Sequence, residues 1–226
     1  MKVLHSSDLH GRYKYLLEHH AGTEFDVWLD TGDFCDNAGR SAGGGRINAE
    51  VERRYQARWL DRYKDLPRRL VAWLRGRPAL VMPGNHDFVS LDVYLRRAGA
   101  NVLRVTTAGV ECLGWRWAGF REVPWIDGEW EGEQHGFKRQ LEETWAADPD
   151  VLVTHGPPGG ILDEAMGYGN PELTNRLAYY PHNIRAHFFG HTHANGGEDV
   201  EEMGVHFYNG ACTTKLHELD TSTWRS

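Results

Sequence analysis

The chain has 226 residues, a net charge of −7, 40% hydrophobic and 25% charged residues, and three cysteines. This length suits one α/β domain with a sizeable core, while the negative balance offers no overall attraction to nucleic acid or acidic membranes. No apolar run approaches a membrane span, the opening MKVLHSSDLHG lacks the apolar stretch of a secretion signal, and widely spaced cysteines without a CxxC pair fit a reducing, cytoplasmic setting better than a disulfide framework.

In chain order, short apolar runs end repeatedly in polar or glycine-containing turns. KVLHSS runs into DLHG, FDVWLDT into GDFCDN, PALVM into PGNHD, DVLVT into HGPPGG and RAHFF into GHTHANGG. Each run has strand length, and most are rich in Val, Leu or Phe, the composition of buried strands. YKYLLEHH, SLDVYLRRAG and FKRQLEETWAA lie between them with helical character. Strands alternating with helices predict an α/β sheet.

Residues 39–75 form the least regular connection and are expected to be an insertion within a single domain spanning 1–226. GRSAGGGR predicts a loop, and Ile47, Val51, Tyr55, Trp59, Tyr63 and Leu66 then follow at near-helical spacing. Pro67 suits the first turn of a new helix. The segment between Arg46 and Arg77 is basic, with Arg53, Arg54, Arg58, Arg62, Lys64, Arg68 and Arg69 in it. A solvated helix face is the expected role, and contact with an anionic substrate or nucleic acid the sharper alternative. Arg40 and Arg46 are candidates for a phosphate clamp, although no GK[ST] follows to make a P-loop. Trp115 and Trp117 share one strand face, and Cys35 is expected to be a small core residue. His5, His19, His20, His135, His182, His187, His206 and His217 are read as structural.

The polar turns collect Asp8 and His10, Asp33, Asn85 with His86 and Asp87, His155, and His191 with His193. All are oxygen or nitrogen donors, a mixture that Mn²⁺, Fe²⁺ and Zn²⁺ accept. Singly, each has a plainer reading: Asp8 and Asp33 as helix caps, Asn85 as a turn residue, the imidazoles as satisfied buried histidines. Five clusters, each beyond the carboxyl end of its strand where α/β sheets place ligands, favour a metal site.

DLH, GDFCD, GNHD, THGPP and GHTH, in this order from Asp8 to His193, resemble the signature blocks of calcineurin-like metallophosphoesterases. THGPP followed by LD, together with GDF and VPW, looks most like the small class III or brain-type metallophosphodiesterases. The GDxxDRG of protein Ser/Thr phosphatases is absent, since Asn37 and Ala38 follow Asp36. The resemblance implies a four-layer α/β/β/α sandwich, two mixed β-sheets flanked by helices, with the metal site at the strand C-terminal edge. It implies two divalent ions, Mn²⁺ foremost, with Fe, Zn, Ni and Co also suited. Asp8, His10, Asp33 and His193 would hold one, and Asp33, Asn85, His155 and His191 the other, with Asp33 bridging.

The implied reaction is hydrolysis of a small phosphodiester, such as a nucleotide, by a hydroxide bridging the metals. His86 would donate a proton, or at least a hydrogen bond, to the leaving oxygen, with Asp87 orienting its ring. Trp125 falls in the loop that approaches the metals in that subgroup and is a candidate for stacking on a base. A phosphomonoesterase, a nuclease and a non-catalytic scaffold are the alternatives. The expected partner is a small phosphate ester, with nucleic acid second and no membrane.

Overall fold

The computed structural model describes all residues except 40, 41, 43, 63, 64, 125–129, 133–136, 164–166, 223, 225 and 226. Two mixed sheets are flanked by helices. The first has the order β11-β1-β2-β3-β4, from Thr214–Glu218, Lys2–Ser6, Val27–Asp30, Ala79–Val81 and Val102–Arg104. Strands β1 to β4 run parallel, and β11 pairs antiparallel with β1. The second has the order β5-β6-β7-β8-β10-β9, from Val110–Cys112, Trp115–Phe120, Val151–Thr154, Ala186–Phe189, Val205–Asn209 and Asp199–Glu202. Its central strands β6, β7, β8 and β10 are parallel, with antiparallel β5 and β9 at the edges.

Side-chain alternation divides the core into layers. Val3, Val27, Leu29 and Leu80 of the first sheet meet Trp117, Val151, Val153 and Phe188 of the second between the sheets. The alternate residues Leu4 and Trp28 face helices α1 (Tyr13–His19), α2 (Ala49–Arg62), α3 (Asp65–Leu74) and α4 (Leu91–Arg97) through Leu16, Leu60, Leu70 and Leu95. Leu152, Phe189 and Phe207 face α5 (Lys138–Ala146) and α6 (Pro171–Tyr179) through Leu141, Leu173 and Leu177. Each such aliphatic side chain contributes about 1.5–3 kcal/mol by leaving water. The expected sandwich is therefore present, and the five anticipated strands are β1, β2, β3, β7 and β8. Among the described residues, no helix is long and apolar enough to cross a membrane.

Three elements differ from the sequence reading or extend it. The helix expected from Ile47 to Leu66 divides into α2 and α3, with Pro67 in the first turn of α3 as anticipated. The buried face of α2 is not the apolar stripe through Val51 and Tyr55. It carries Glu52, Gln56, Trp59 and Leu60, and Tyr55 is exposed. The reason is that this face meets loop backbone, which requires hydrogen-bonding side chains. Helix α6 was not anticipated; Asn170 caps it by accepting from the amides of Glu172 and Leu173 at 3.0 and 3.1 Å, with Pro171 next in the chain.

Candidate metal centre

Every predicted donor lies just beyond the C-terminal end of a strand. Asp8 and His10 follow β1, Asp33 follows β2, and Asn85 and His86 follow β3. His155 follows β7, and His191 and His193 follow β8. Their loops bend sharply: Asp8, His10, Asp33 and His191 have φ of 54, 42, 56 and 66°. That left-handed region is uncommon for residues with a Cβ and tolerated best by Asp, Asn and His. Two glycines are required by close approach. A Cβ on Gly190 would stand 1.9 Å from Ser7 Oγ and 2.3 Å from Asp8 Oδ2, and one on Gly84 would stand 2.1 Å from Asp33 Oδ1.

The loops thus bring their side chains together. Asp8 Oδ1 lies 3.2 Å from His193 Nε2 and 4.0 Å from His10 Nε2. Asp33 Oδ2 lies 3.8 Å from His10 Nε2 and 3.4 Å from His155 Nε2. Three overlapping sets of donors result, each with ligand atoms within 4.8 Å of one another: Asp8, His10 and His193; Asp8, Asp33 and His155; His10, Asp33 and His86. Asn85 joins through its Oδ1, 2.8 Å from His155 Nε2. His191 sits beside the cluster: its ring centroid is 5.2 Å from that of His155, and its amide donates to Asp8 Oδ2 at 2.8 Å.

This donor set fits divalent cations. The His155 Nδ1–H donates to the Thr31 carbonyl at 2.9 Å, which turns Nε2 inward. Nε2 and Asn85 Oδ1, both acceptors, then face each other at hydrogen-bond distance, an arrangement that a proton or a cation between them satisfies. In the metal-free chain protons serve. Burial pushes His155 down, but the Asp33 charge and hydrogen bond lift it to about 9. The hydrogen bond to Asp8, followed by that to Cys212, raises His193 to about 10. Burial also pushes the carboxyls up. For Asp8 the His193 hydrogen bond, the His155 charge and the Ser7 hydroxyl outweigh it, giving about 2. For Asp33 the charge of His155, with its hydrogen bond, holds it well below the carboxylate range. His191, by contrast, is lowered to about 4 by burial and the nearby His155 charge, so its ring is neutral and free to ligate.

His86 and Asp87 do not form the expected pair. The Asp87 carboxylate accepts from the amides of Asp33, Cys35 and Gly84 at 2.7, 3.1 and 3.0 Å, and from Phe34 at 3.4 Å. It ties the Asp33 turn to the Asn85 turn and leaves the His86 ring to other partners. That ring stacks on Trp130, with centroids 3.8 Å apart and planes at 29°, and stands edge-on to His10. Burial, opposed by the Asp33 charge, lowers His86, so the ring is neutral near pH 7. Its backbone is held at both ends. The amide donates to Asp33 Oδ1 at 2.7 Å, and the carbonyl accepts from Asn37 Nδ2 and Gln56 Nε2 at 2.9 and 2.6 Å.

Helix α2 supplies bracing that sequence reasoning missed. Gln56 Oε1 accepts from the amides of Phe88 and Val89 at 2.8 and 3.1 Å. One turn earlier, Glu52 accepts from Ala38 and Gly39 at 3.0 and 2.7 Å. Arg53, Arg54, Arg58, Arg68 and Arg69 lie on the exposed side, so the expected solvated face is present, opposite a functional inner one. The readable signal was a polar i,i+4 pair, Glu52 and Gln56, on the side that carries Trp59 and Leu60. Arg46 is exposed, and Arg40, Trp125, Tyr63, Lys64 and His135 lie outside the described residues. Among the described residues, Trp130 lies against His86 and Tyr168 against His191. Cys35 is fully buried, and burial raises its thiol well above the usual range. His5 and His187 are buried with hydroxyl partners, Thr31 and Thr154.

The family model described as calcineurin-like phosphoesterase matches residues 1–195. No curated protein matches the sequence. One solved crystal structure superposes with a TM-score of 0.66 at 15% identity, covering 96% of this chain and 98% of that one. A structure characterised as a novel archaeal phosphodiesterase superposes with a TM-score of 0.48 at 14% identity, covering 100% and 96%. The first similarity bears on the fold alone.

Proposed function

The chain belongs to the calcineurin-like phosphoesterases, and from that premise we propose that it hydrolyses a small phosphodiester of nucleotide type, with two divalent cations held at the strand ends. Asp8, His10, Asp33 and His193 would hold one cation, and Asp33, Asn85, His155 and His191 the other, with Mn²⁺ the first choice among first-row ions. The observation that supports this reading is the position of Asp33, whose Oδ2 lies between the two proposed ligand sets, 3.8 Å from His10 Nε2 and 3.4 Å from His155 Nε2. When bound, the metals supply Lewis acidity, acidifying water and polarising phosphoryl oxygens.

The chain's own residues set the rest. Asp8 and Asp33 contribute only two negative charges, and Asn85 is neutral, so the loaded site stays electropositive and attracts an anionic ester despite the acidic protein. His86, outside the proposed ligand set, presents its ring edge while Trp130 covers one face. A neutral imidazole there donates an N–H hydrogen bond to the leaving oxygen and stabilises the negative charge that develops on it. Trp130 fixes the ring's tilt, the role the sequence had suggested for Asp87. The free cysteines, two of them buried, support the cytoplasmic assignment.

Turnover of bis-p-nitrophenyl phosphate beside p-nitrophenyl phosphate, by metal-free protein titrated with Mn²⁺, tests the proposal. The expected result is metal-dependent cleavage with preference for the diester, and loss of rate with retention of metal in His86→Ala. Preference for the monoester would replace the diesterase reading with a phosphomonoesterase. Absence of turnover for both, with two metals bound per chain, would overturn it.

A further inference from the structure

A cavity opens on the rim that carries the metal centre. It measures about 230 Å³ and is lined by residues beyond β3 (Met82, Pro83), beyond β4 (Val105, Thr106, Thr107), at the end of β6 (Gly119 to Glu122) and on α5, with Arg104 at its edge. Both sheets contribute their C-terminal ends, the place where α/β proteins bind ligands. We propose that this cavity is an anion subsite that receives a second phosphate group of the substrate, joined to the scissile ester by a short spacer. The proposal rests on the phosphoesterase reading and names the class of ester: one carrying a further anionic group.

Charge is the first support. In a chain of net charge −7, Arg104, Arg121 and Arg139 converge here from three elements against Glu122 and Glu143. Glu143 is already engaged, accepting from Thr107 Oγ1 at 2.9 Å and lying 3.7 Å from Arg139 Nη1. Arg104 donates to the Ser90 hydroxyl at 3.2 Å, a neutral partner, and forms no ion pair with a carboxylate among the described residues. Arg121 is 20% exposed. Its Nε and Nη2 are buried on the side of Gly132 and Glu131, with no hydrogen-bond acceptor among the described residues, so its guanidinium is held at the wall without being neutralised by a hydrogen-bonded carboxylate. The Glu131 carboxylate, 3.6 Å from Nη2, offers charge but no hydrogen bond. Guanidinium groups so placed suit phosphate, whose oxygens accept from their planar forks.

Position is the second support. Pro83 lies two residues before Asn85, a step of at most about 7 Å along the chain. The Phe120 carbonyl, on another wall, accepts from the His155 amide at 3.3 Å. Beside Arg121, Glu131 adjoins Trp130, which covers His86. A ligand whose ester lies at the metals can therefore reach the cavity with a short spacer, while Val105 and Phe120 provide an apolar wall for it.

The test begins with metal-free protein, so that it stands apart from catalysis. Inorganic pyrophosphate is titrated calorimetrically into the wild type and into Arg104→Glu/Arg139→Glu, with thermal melting to verify folding. Binding by the wild type and a loss of about tenfold or more in the double variant are expected for removed charge-assisted contacts. Should the double variant melt early, Arg139→Gln, at a side chain 79% exposed, decides by the same comparison. No binding by the wild type, or equal binding by the variants, would overturn the subsite, equal binding placing the anion among the protonated histidines instead. In the loaded enzyme, the substitutions should raise KM for a p-nitrophenyl diester bearing a terminal phosphate and leave bis-p-nitrophenyl phosphate unchanged. A failure of all turnover would count against the phosphoesterase reading while leaving the calorimetric result intact.

Discussion

The two sheets furnish unlike halves of the metal centre. The first sheet presents both carboxylates and the amide, together with the imidazoles of His10 and His86, from loops held by side chains: Asp87 under Asp33, Gln56 and Asn37 on the His86 carbonyl, Glu52 beneath Ala38 and Gly39. The second sheet presents three imidazoles, aimed by fewer contacts, chiefly the Thr31 carbonyl on His155 and the Asp8 carboxylate on His193 and the His191 amide. The difference is chemical in origin. A buried carboxylate must be surrounded by donors, whereas an imidazole needs one acceptor to fix its tautomer. The first half is therefore the rigid frame, and the second is oriented upon it.

Four measurements would break or sharpen that contrast, beginning with the greatest effect. Asp33→Asn removes the charge shared by two donor sets, and metal affinity should fall beyond the 10–100-fold typical of losing a supporting residue, about a thousandfold or more, with turnover nearly abolished. Full activity at stoichiometric metal would refute the shared role. Asp87→Ala strips the acceptor from four buried amides. At about 1–3 kcal/mol for an unsatisfied group, it should destabilise the metal-free fold by several kcal/mol in urea unfolding, more than Asn37→Ala does. If the two variants unfold alike, the frame is not centred on Asp87.

The third measurement concerns pH. His155 at about 9 and His193 at about 10 lie above an unfolded value near 6.5, so their contribution to stability is complete below about pH 6.5 and lost as pH climbs through 9 to 10. Asp8, lowered to about 2, contributes above about pH 4 and loses that contribution as pH falls through 2. Melting temperatures of metal-free protein should therefore fall on the alkaline side, and metal uptake near pH 7 should release protons. A flat alkaline profile with no proton release would dissolve the histidine–carboxylate pairing. The smallest effect belongs to Trp130→Ala, where kcat should drop by about five- to tenfold for poor leaving groups with metal stoichiometry unchanged. An equal drop for nitrophenolate and alkoxide leaving groups would remove Trp130 from the positioning of His86.

Much of this was legible in the primary structure, for identifiable reasons. Strand ends rich in Asp, His and Asn announced the donors, because few sequences place such residues after five separate apolar runs without a common ligand. Less legible were residues whose partners are backbone atoms far along the chain. Glu52 and Gln56 resemble ordinary helix-surface residues until the loops at 37–39 and 86–89 are folded against them. Asp87 follows His86 directly, which suggested a paired role, yet neighbouring side chains on a turn point apart and its carboxylate turns to the adjacent loop. Strands β9 to β11 were missed because short strands such as DVEE carry too little apolar pattern to announce themselves.

The bracing by α2 also links distant parts of the chain in time. The amides of Ala38, Gly39, Phe88 and Val89 all end on side chains of that one helix. When α2 lifts away, all four are released together, so they should exchange with deuterium at a common opening free energy rather than as two independent loops. The catalytic loops would then share a single clock, set by a helix that contributes no metal ligand.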